Sequence, residues 1–149
     1  MHRFARKVFG VASTTAALVG LTAALVPVTA EATPGVGVSA VTIFDKTVGN
    51  TEYVLKEITL APGGSTGWHY HPGQVRGFVK QGTLTHNDSD CSIDGVYRRG
   101  QAISEASGPG YVHLGRNLGT TPVVLEVLYQ NSVGTPLAVD MPNPGCSFQ

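Results

Sequence analysis

Beyond residue 40 the hydrophobic and polar positions alternate with period two in one short segment after another. In EYVLKEITL, residues 52–60, Tyr53, Leu55, Glu57 and Thr59 fall on one face, and Val54, Lys56, Ile58 and Leu60 on the other. VTIF, TGWHYH, VRGFVKQGTLTH, GVYRRGQAISEA, YVHLGRN and PVVLEVLYQNS are similarly short and rich in Val, Ile, Thr, Tyr and Leu. Each is bounded by Gly, Pro, Asn or Asp. No window after residue 31 sustains a helical apolar period, so the pattern predicts an all-β sandwich or barrel. VKQGTLT predicts a tight hairpin centred on Gln81-Gly82, where glycine supplies the positive φ of a short loop. In PVVLEVLYQ the residues Val123, Leu125, Val127 and Tyr129 form a complete apolar face, which turns Glu126 outward. The last stretch, GTPLAVDMPNPGCSFQ, has turn residues and no strand period, and is expected to lie over one end of the sheet.

The first thirty residues follow another pattern. Arg3, Arg6 and Lys7 precede an uncharged run of Ala, Val, Leu, Gly, Ser and Thr, and VPVTAEAT then places small residues for cleavage after Ala30 or Ala32. The run is near the lower limit for crossing a bilayer, but its composition and cleavage pattern favour a removed secretory signal. The expected location is therefore secreted or cell-envelope, with no membrane association after removal. Residues 33–40, TPGVGVSA, are expected to be a linker, and residues 41–149 a single domain.

Three of the ten Lys and Arg leave with the signal and none of the ten Asp and Glu, so the remainder carries a net charge of −3. Arg98-Arg99 is its one adjacent basic pair, which argues against a nucleic-acid partner. Two cysteines in an exported chain favour a bridge, so Cys91 and Cys146 are expected to pair.

His69 and His71 in TGWHYH project to the same face of a strand, roughly 6–7 Å apart along the backbone. That is the bite of one metal ion, and it is also a pattern found on ordinary solvated strands. Trp68 and Tyr70 face the other way. A second block, SGPGYVHLGRN, carries His113 on a strand that could close over the first. His86, in the polar stretch THNDSDCS, reads as a solvent-facing loop residue.

Gly63, then His69-Tyr70-His71, and later Gly82 together resemble the first motif of the cupin superfamily. GPGYVHLGRN, with Gly110, His113 and Asn117 in register, is similar to the second. The resemblance covers roughly Val54 to Tyr129. It implies a jelly-roll barrel of about six to eight antiparallel strands, with a divalent metal held by the two histidines of the first motif, its glutamate, and the histidine of the second motif. Here the glutamate position, seven before Gly82, is Val75, and its neighbours are Gln74 and Arg76. The expected ligands are therefore His69, His71 and His113, with Gln74 as a weak fourth candidate whose carbonyl oxygen either ligates or faces solvent.

A neutral three-histidine site leaves the ion at +2 with open positions. That suits iron(II) or zinc and disfavours manganese. Glu126 would be a general base only if it faced inward, where desolvation would raise its pKa. Tyr53, Tyr70 and Tyr111 are candidate pocket walls. Two functions remain open: a metal-dependent, oxygenase-like enzyme acting on a small molecule, and a non-catalytic ligand-binding or structural barrel with a degenerate site. A homodimer through edge strands is the further partner expected.

Overall fold

The computed structural model describes residues 32–149; the expected signal segment lies outside them. Ten strands follow in order: β1 (Val36–Val48), β2 (Thr51–Ser65), β3 (His69–Tyr70), β4 (Gln74–Gln81), β5 (Thr83–Asp88), β6 (Ile93–Arg98), β7 (Ala102–Glu105), β8 (His113–Arg116), β9 (Val123–Ser132) and β10 (Val139–Asp140). The eight longer strands match the expected number, and β3 and β10 are two-residue pairings. All pairings are antiparallel, and among the described residues there is no helix.

Pairing divides the sheet into two halves. β1-β2-β9-β4-β7 form one and β10-β3-β8-β5-β6 the other, joined where Ser65 at the end of β2 meets Arg116 of β8. The result is a nearly closed all-β jelly-roll barrel: the alternation predicted an all-β sandwich or barrel, and the cupin resemblance implied the jelly roll. The inward positions follow the alternation: Val54 and Leu60 share one of the two faces read on β2, Val123, Leu125, Val127 and Tyr129 are the apolar face of β9, and Val75 and Val79 of β4 join them. Leu84 of β5 and Ile103 of β7 complete this core.

Two local expectations are corrected. The 33–40 segment is not a linker: Val36 onward is strand, paired along β2, and Thr33 accepts a 2.7 Å hydrogen bond from the Trp68 amide. Its Gly and Val residues are as compatible with an edge strand as with a loop. Gln81-Gly82 is not a hairpin turn either, because β4 pairs with β7 and β9, and β5 with β6 and β8. Gly82 takes φ 79° where the chain passes from one half of the barrel to the other, and a Cβ there would lie 2.7 Å from the Pro122 carbonyl oxygen. The same backbone freedom serves a crossing as well as a hairpin.

Asn117 binds the two halves together. Its buried amide donates to the carbonyls of Leu60, Ala61 and Thr121, and its main chain bonds Gly63 and Gly64. The C-terminal tail covers the outer side of β3. Phe148 stacks on the buried Trp68 at 6.1 Å, and the Arg116 guanidinium lies 3.7 Å from the Phe148 ring centre.

Cys91 and Cys146 are bridged, as expected, and tie this tail to the β5–β6 loop. Closing a loop across a separation of 55 residues stabilises by about 4 kcal/mol in the chain-entropy model. Replacing both cysteines by alanine should lower the unfolding free energy by roughly 3–4 kcal/mol in urea titrations. A double variant as stable as the parent would show that the tail docks through Trp68 and Phe148 alone.

Candidate metal centre

His69 lies on β3 and His113 opens β8, and the two are register partners. His71 follows β3, and all three rings are buried with centroids 4.5–5.1 Å apart. The structure thus brings together the three histidines that the sequence singled out.

Backbone carbonyls fix the orientation of each ring. Nδ1 of His69 lies 2.9 Å from the Gly67 oxygen, Nδ1 of His71 2.7 Å from Leu137, and Nδ1 of His113 3.1 Å from Tyr111. A carbonyl can only accept, so each Nδ1 carries the proton and each Nε2 presents a bare lone pair. The Nε2 atoms of His69 and His71 then stand 3.1 Å apart with no proton between them. Two lone pairs at that distance repel unless a cation lies between or beside them. His113 Nε2 is buried and makes no hydrogen bond among the described residues. Such a set could hold a metal ion, and backbone acceptors orient it.

The carboxylate comes from Glu105, which the sequence reading missed. Its Oε2 is 3.1 Å from His71 Nε2 and 3.5 Å from His113 Nε2. Val75, at the position where the first motif would carry its glutamate, is 2% exposed within the apolar core. Val75 and Glu105 are direct cross-strand partners in the β4–β7 ladder, so the acid is displaced by one strand and not lost. The available signal was the lone acid inside the apolar-alternating QAISEA segment, legible only once β7 is known to pair with β4.

Gln74 does not join the cluster. It is exposed, one residue out of phase with Val75, and lies opposite Gln130. Glu126 faces outward as the apolar face of β9 requires, with its Oε2 3.4 Å from Lys80 Nζ. It cannot serve as a base inside the barrel. Of the tyrosines singled out, Tyr111 packs on His113 at 4.8 Å, and the buried Tyr129 contributes a further wall 5.6 Å from His71. Tyr53 and Tyr70 pack against none of these rings.

His86 is not a loop residue. It sits on β5, 1% exposed, between its register partners Gly95 and Gly115; the Tyr97 ring occupies the space beside Gly95, and Leu84 and Thr66 that beside Gly115. Its Nδ1 donates to Asp94 Oδ1 at 2.6 Å, its Nε2 lies 3.4 Å from Glu105 Oε1, and Tyr111 donates to Asp94 Oδ2 at 2.9 Å. The polar run read as loop is a strand with two neighbours whose polar side chains find partners inside, such as Asn87 with Ser92 and Arg116.

The electrostatics follow from this packing. Burial, then the neighbouring His113 and His71, lower the His69 pKa from 6.5 to about 3, which keeps its ring neutral. For Glu105 burial alone would push the carboxyl up, but hydrogen bonds that His113, His71 and His86 give its ionised form when their Nε2 atoms carry a proton hold it well below the usual carboxylate range. Burial opposes the charged form of His86 too, yet Glu105 and Asp94 raise its pKa.

The fold and this cluster define an antiparallel β-barrel with a buried histidine–carboxylate centre. The family profile described as Cupin domain matches residues 56–129, and the chain belongs to the cupin superfamily. Among solved structures it is similar to a recombinant oxalate oxidase in complex with glycolate, at 25% identity and TM-score 0.55 over 69% of this chain. The match covers 54% of the oxalate oxidase, so the chain spans about half the length of that protein. It shares its fold with a cupin-like protein from Thermotoga maritima (18% identity, TM-score 0.59, 73% of this chain and 80% of that one). The same holds for the polyketide cyclase RemF from Streptomyces resistomycificus (18% identity, TM-score 0.56, 72% and 82%). Comparison with the sequences of curated proteins gives no match.

In metal-free protein the depressed His69 pKa makes stability depend on pH. The unfolded histidine takes up its proton near pH 6.5 and the folded one only near 3, so its stabilisation is complete above about 6.5 and is lost as pH falls toward 3. Glu105, held low, loses its contribution in the same direction below its ordinary value of 4.5. Urea unfolding of chelator-treated protein should show a loss of about 3 kcal/mol between pH 7 and pH 4. A flat or rising profile would contradict the neutral, buried His69.

Proposed function

We propose that the protein binds one divalent metal ion through Nε2 of His69, His71 and His113 and the carboxylate of Glu105, and that it acts on a small molecule admitted to that ion. The observation that carries this reading is the 3.1 Å approach of two Nε2 atoms whose Nδ1 protons are already committed to backbone carbonyls. Around them lies an inner chamber of about 50 Å³, lined by His69, His71, His86, Glu105 and His113, which is room for an ion and a water molecule.

The site has an approach. His69, His71, Ile58, Thr66 and Tyr129 also line an outer cleft of about 400 Å³, within the range of small-ligand pockets. Four protein ligands leave positions facing this cleft, and a bound ion would supply Lewis-acid polarisation or oxygen chemistry there. Glu105 reduces the charge of the site from +2 to +1, so the preference against manganese that a three-histidine set would carry disappears. Iron(II) and zinc remain the leading ions because three of four donors are imidazole. An oxygenase-like enzyme is the reading that open positions and a substrate cleft favour. The N-terminal secretory pattern supports an activity outside the cytoplasm.

His86 positions the acid. Held by Asp94, it presents Nε2 to the Glu105 oxygen that faces away from His71, which favours one carboxylate orientation.

The test is elemental analysis of protein purified without chelator or histidine tag. About one equivalent of iron, zinc or manganese should be present, absent in His69→Ala and His113→Ala. Glu105→Gln should weaken affinity by at least about 10- to 100-fold in chelator competition. Wild-type protein that takes up no metal on reconstitution would sink the reading and leave a barrel that binds ligands without an ion.

A further inference from the structure

Alternation along β2 puts Lys56 on the inward face, in line with the buried Val54 and Leu60. Its register partner on β9 is the core residue Val127, and on β1 it is Thr42. A lysine at such a position is costly unless its ammonium is paired or reaches water. Lys80, on β4 of the same sheet, is paired with Glu57 at 2.6 Å and Glu126 at 3.4 Å. Lys56 has no carboxylate within 4.0 Å and no side-chain hydrogen bond among the described residues. Its side chain lines the outer cleft together with His69 and His71.

The rest of that cleft is chiefly apolar. Val38 and Ala40 of β1, Ile58 of β2, Tyr129 of β9, and Leu137 and Ala138 before β10 form its walls. Asp140, the acid that also borders it, is an exposed residue on β10 at the rim. An unpaired cation beside an apolar wall, next to a centre that takes a reacting group, matches a molecule with an anionic end and a hydrocarbon body.

We propose that the ligand of this cleft is a small carboxylate with an apolar body, its carboxylate held by Lys56 and its body by Val38, Ile58, Tyr129 and Leu137. The inference rests on reading the cleft as the entrance to the metal centre, and it adds the chemical class of the substrate. Lys56 acts as the specificity-determining residue. It discriminates by charge, while the apolar walls contribute affinity in proportion to the area they cover. A lysine can lay its stem along an apolar wall and keep its ammonium at the surface, where a carboxylate can replace the water around it.

The test uses the full metal-loaded protein and three probes with the same body and different ends: hexanoate, hexanol and hexylammonium. Calorimetric titration should rank hexanoate well above the other two. Lys56→Gln and Lys56→Met should each weaken hexanoate at least tenfold and leave hexanol unchanged, and Lys56→Arg should retain most of the preference. The inference is overturned if hexanoate does not bind, if hexanol or hexylammonium binds as tightly, or if the Lys56 variants bind hexanoate as the parent does. That last result would assign the carboxylate to the ion. Metal content is measured on the same samples. Loss of metal in the parent would overturn the metal reading, while the probe ranking would still decide the role of Lys56.

Discussion

Three imidazoles whose Nδ1 protons are fixed by backbone carbonyls must turn three bare nitrogens toward one point, and most of the interior is arranged around that constraint. Gly67, Tyr111 and Leu137 supply the acceptors, and each lies on a connection just outside a strand. Their carbonyls are free for this purpose because the sheet ladder does not use them. The arrangement is electrostatically unfavourable when empty and favourable around a cation, since the same lone pairs that repel each other are the donors a divalent ion requires. The low pKa of His69 expresses the same conflict as a proton affinity.

Glu105 adds an anionic group beside these nitrogens and explains why the site departs from the pattern its histidines suggest. Val75 takes the place where a glutamate was expected and extends the apolar core, and the acid stands directly across the β4–β7 ladder. Cross-strand neighbours on one face are close enough for their side-chain ends to reach the same point, so exchanging apolar and acidic roles between them can preserve the charge at the centre. The buried carboxylate requires partners, and His71, His113 and His86 surround it. His86 in turn needs Asp94, which Tyr111 also meets, so a polar chain runs from the centre to the barrel surface. Lys56 lines the cleft that His69 and His71 also line.

How much of this was legible follows from the range of each interaction. Strand identity was, because period-two alternation is local: the two faces of EYVLKEITL and the apolar face of PVVLEVLYQ were assigned residue by residue, and Glu126 was turned outward by its own neighbours. The His69-His71 pair was legible for the same reason, and His113 through its motif. The Cys91–Cys146 bridge followed from there being two cysteines in a chain with an export pattern. Glu105 was not legible, because its partners lie on four other segments. His86 was misread because a polar run resembles a loop when the strands that satisfy it are out of view. Gln81-Gly82 was misread because a glycine turn does not say whether the strands it joins will pair.

The sequence by itself determined the alternating faces, and therefore an all-β fold, the three histidines and the absence of an acid at Val75. These depend on geometry within a few residues, where backbone periodicity fixes direction. Only the tertiary structure decided which strands lie side by side. That choice sets Glu105 opposite Val75, places His86 between two glycines, and leaves Lys56 facing a cleft without a partner. Each of these comes from pairing residues far apart in the chain, where burial and hydrogen bonding, not local pattern, select the neighbour.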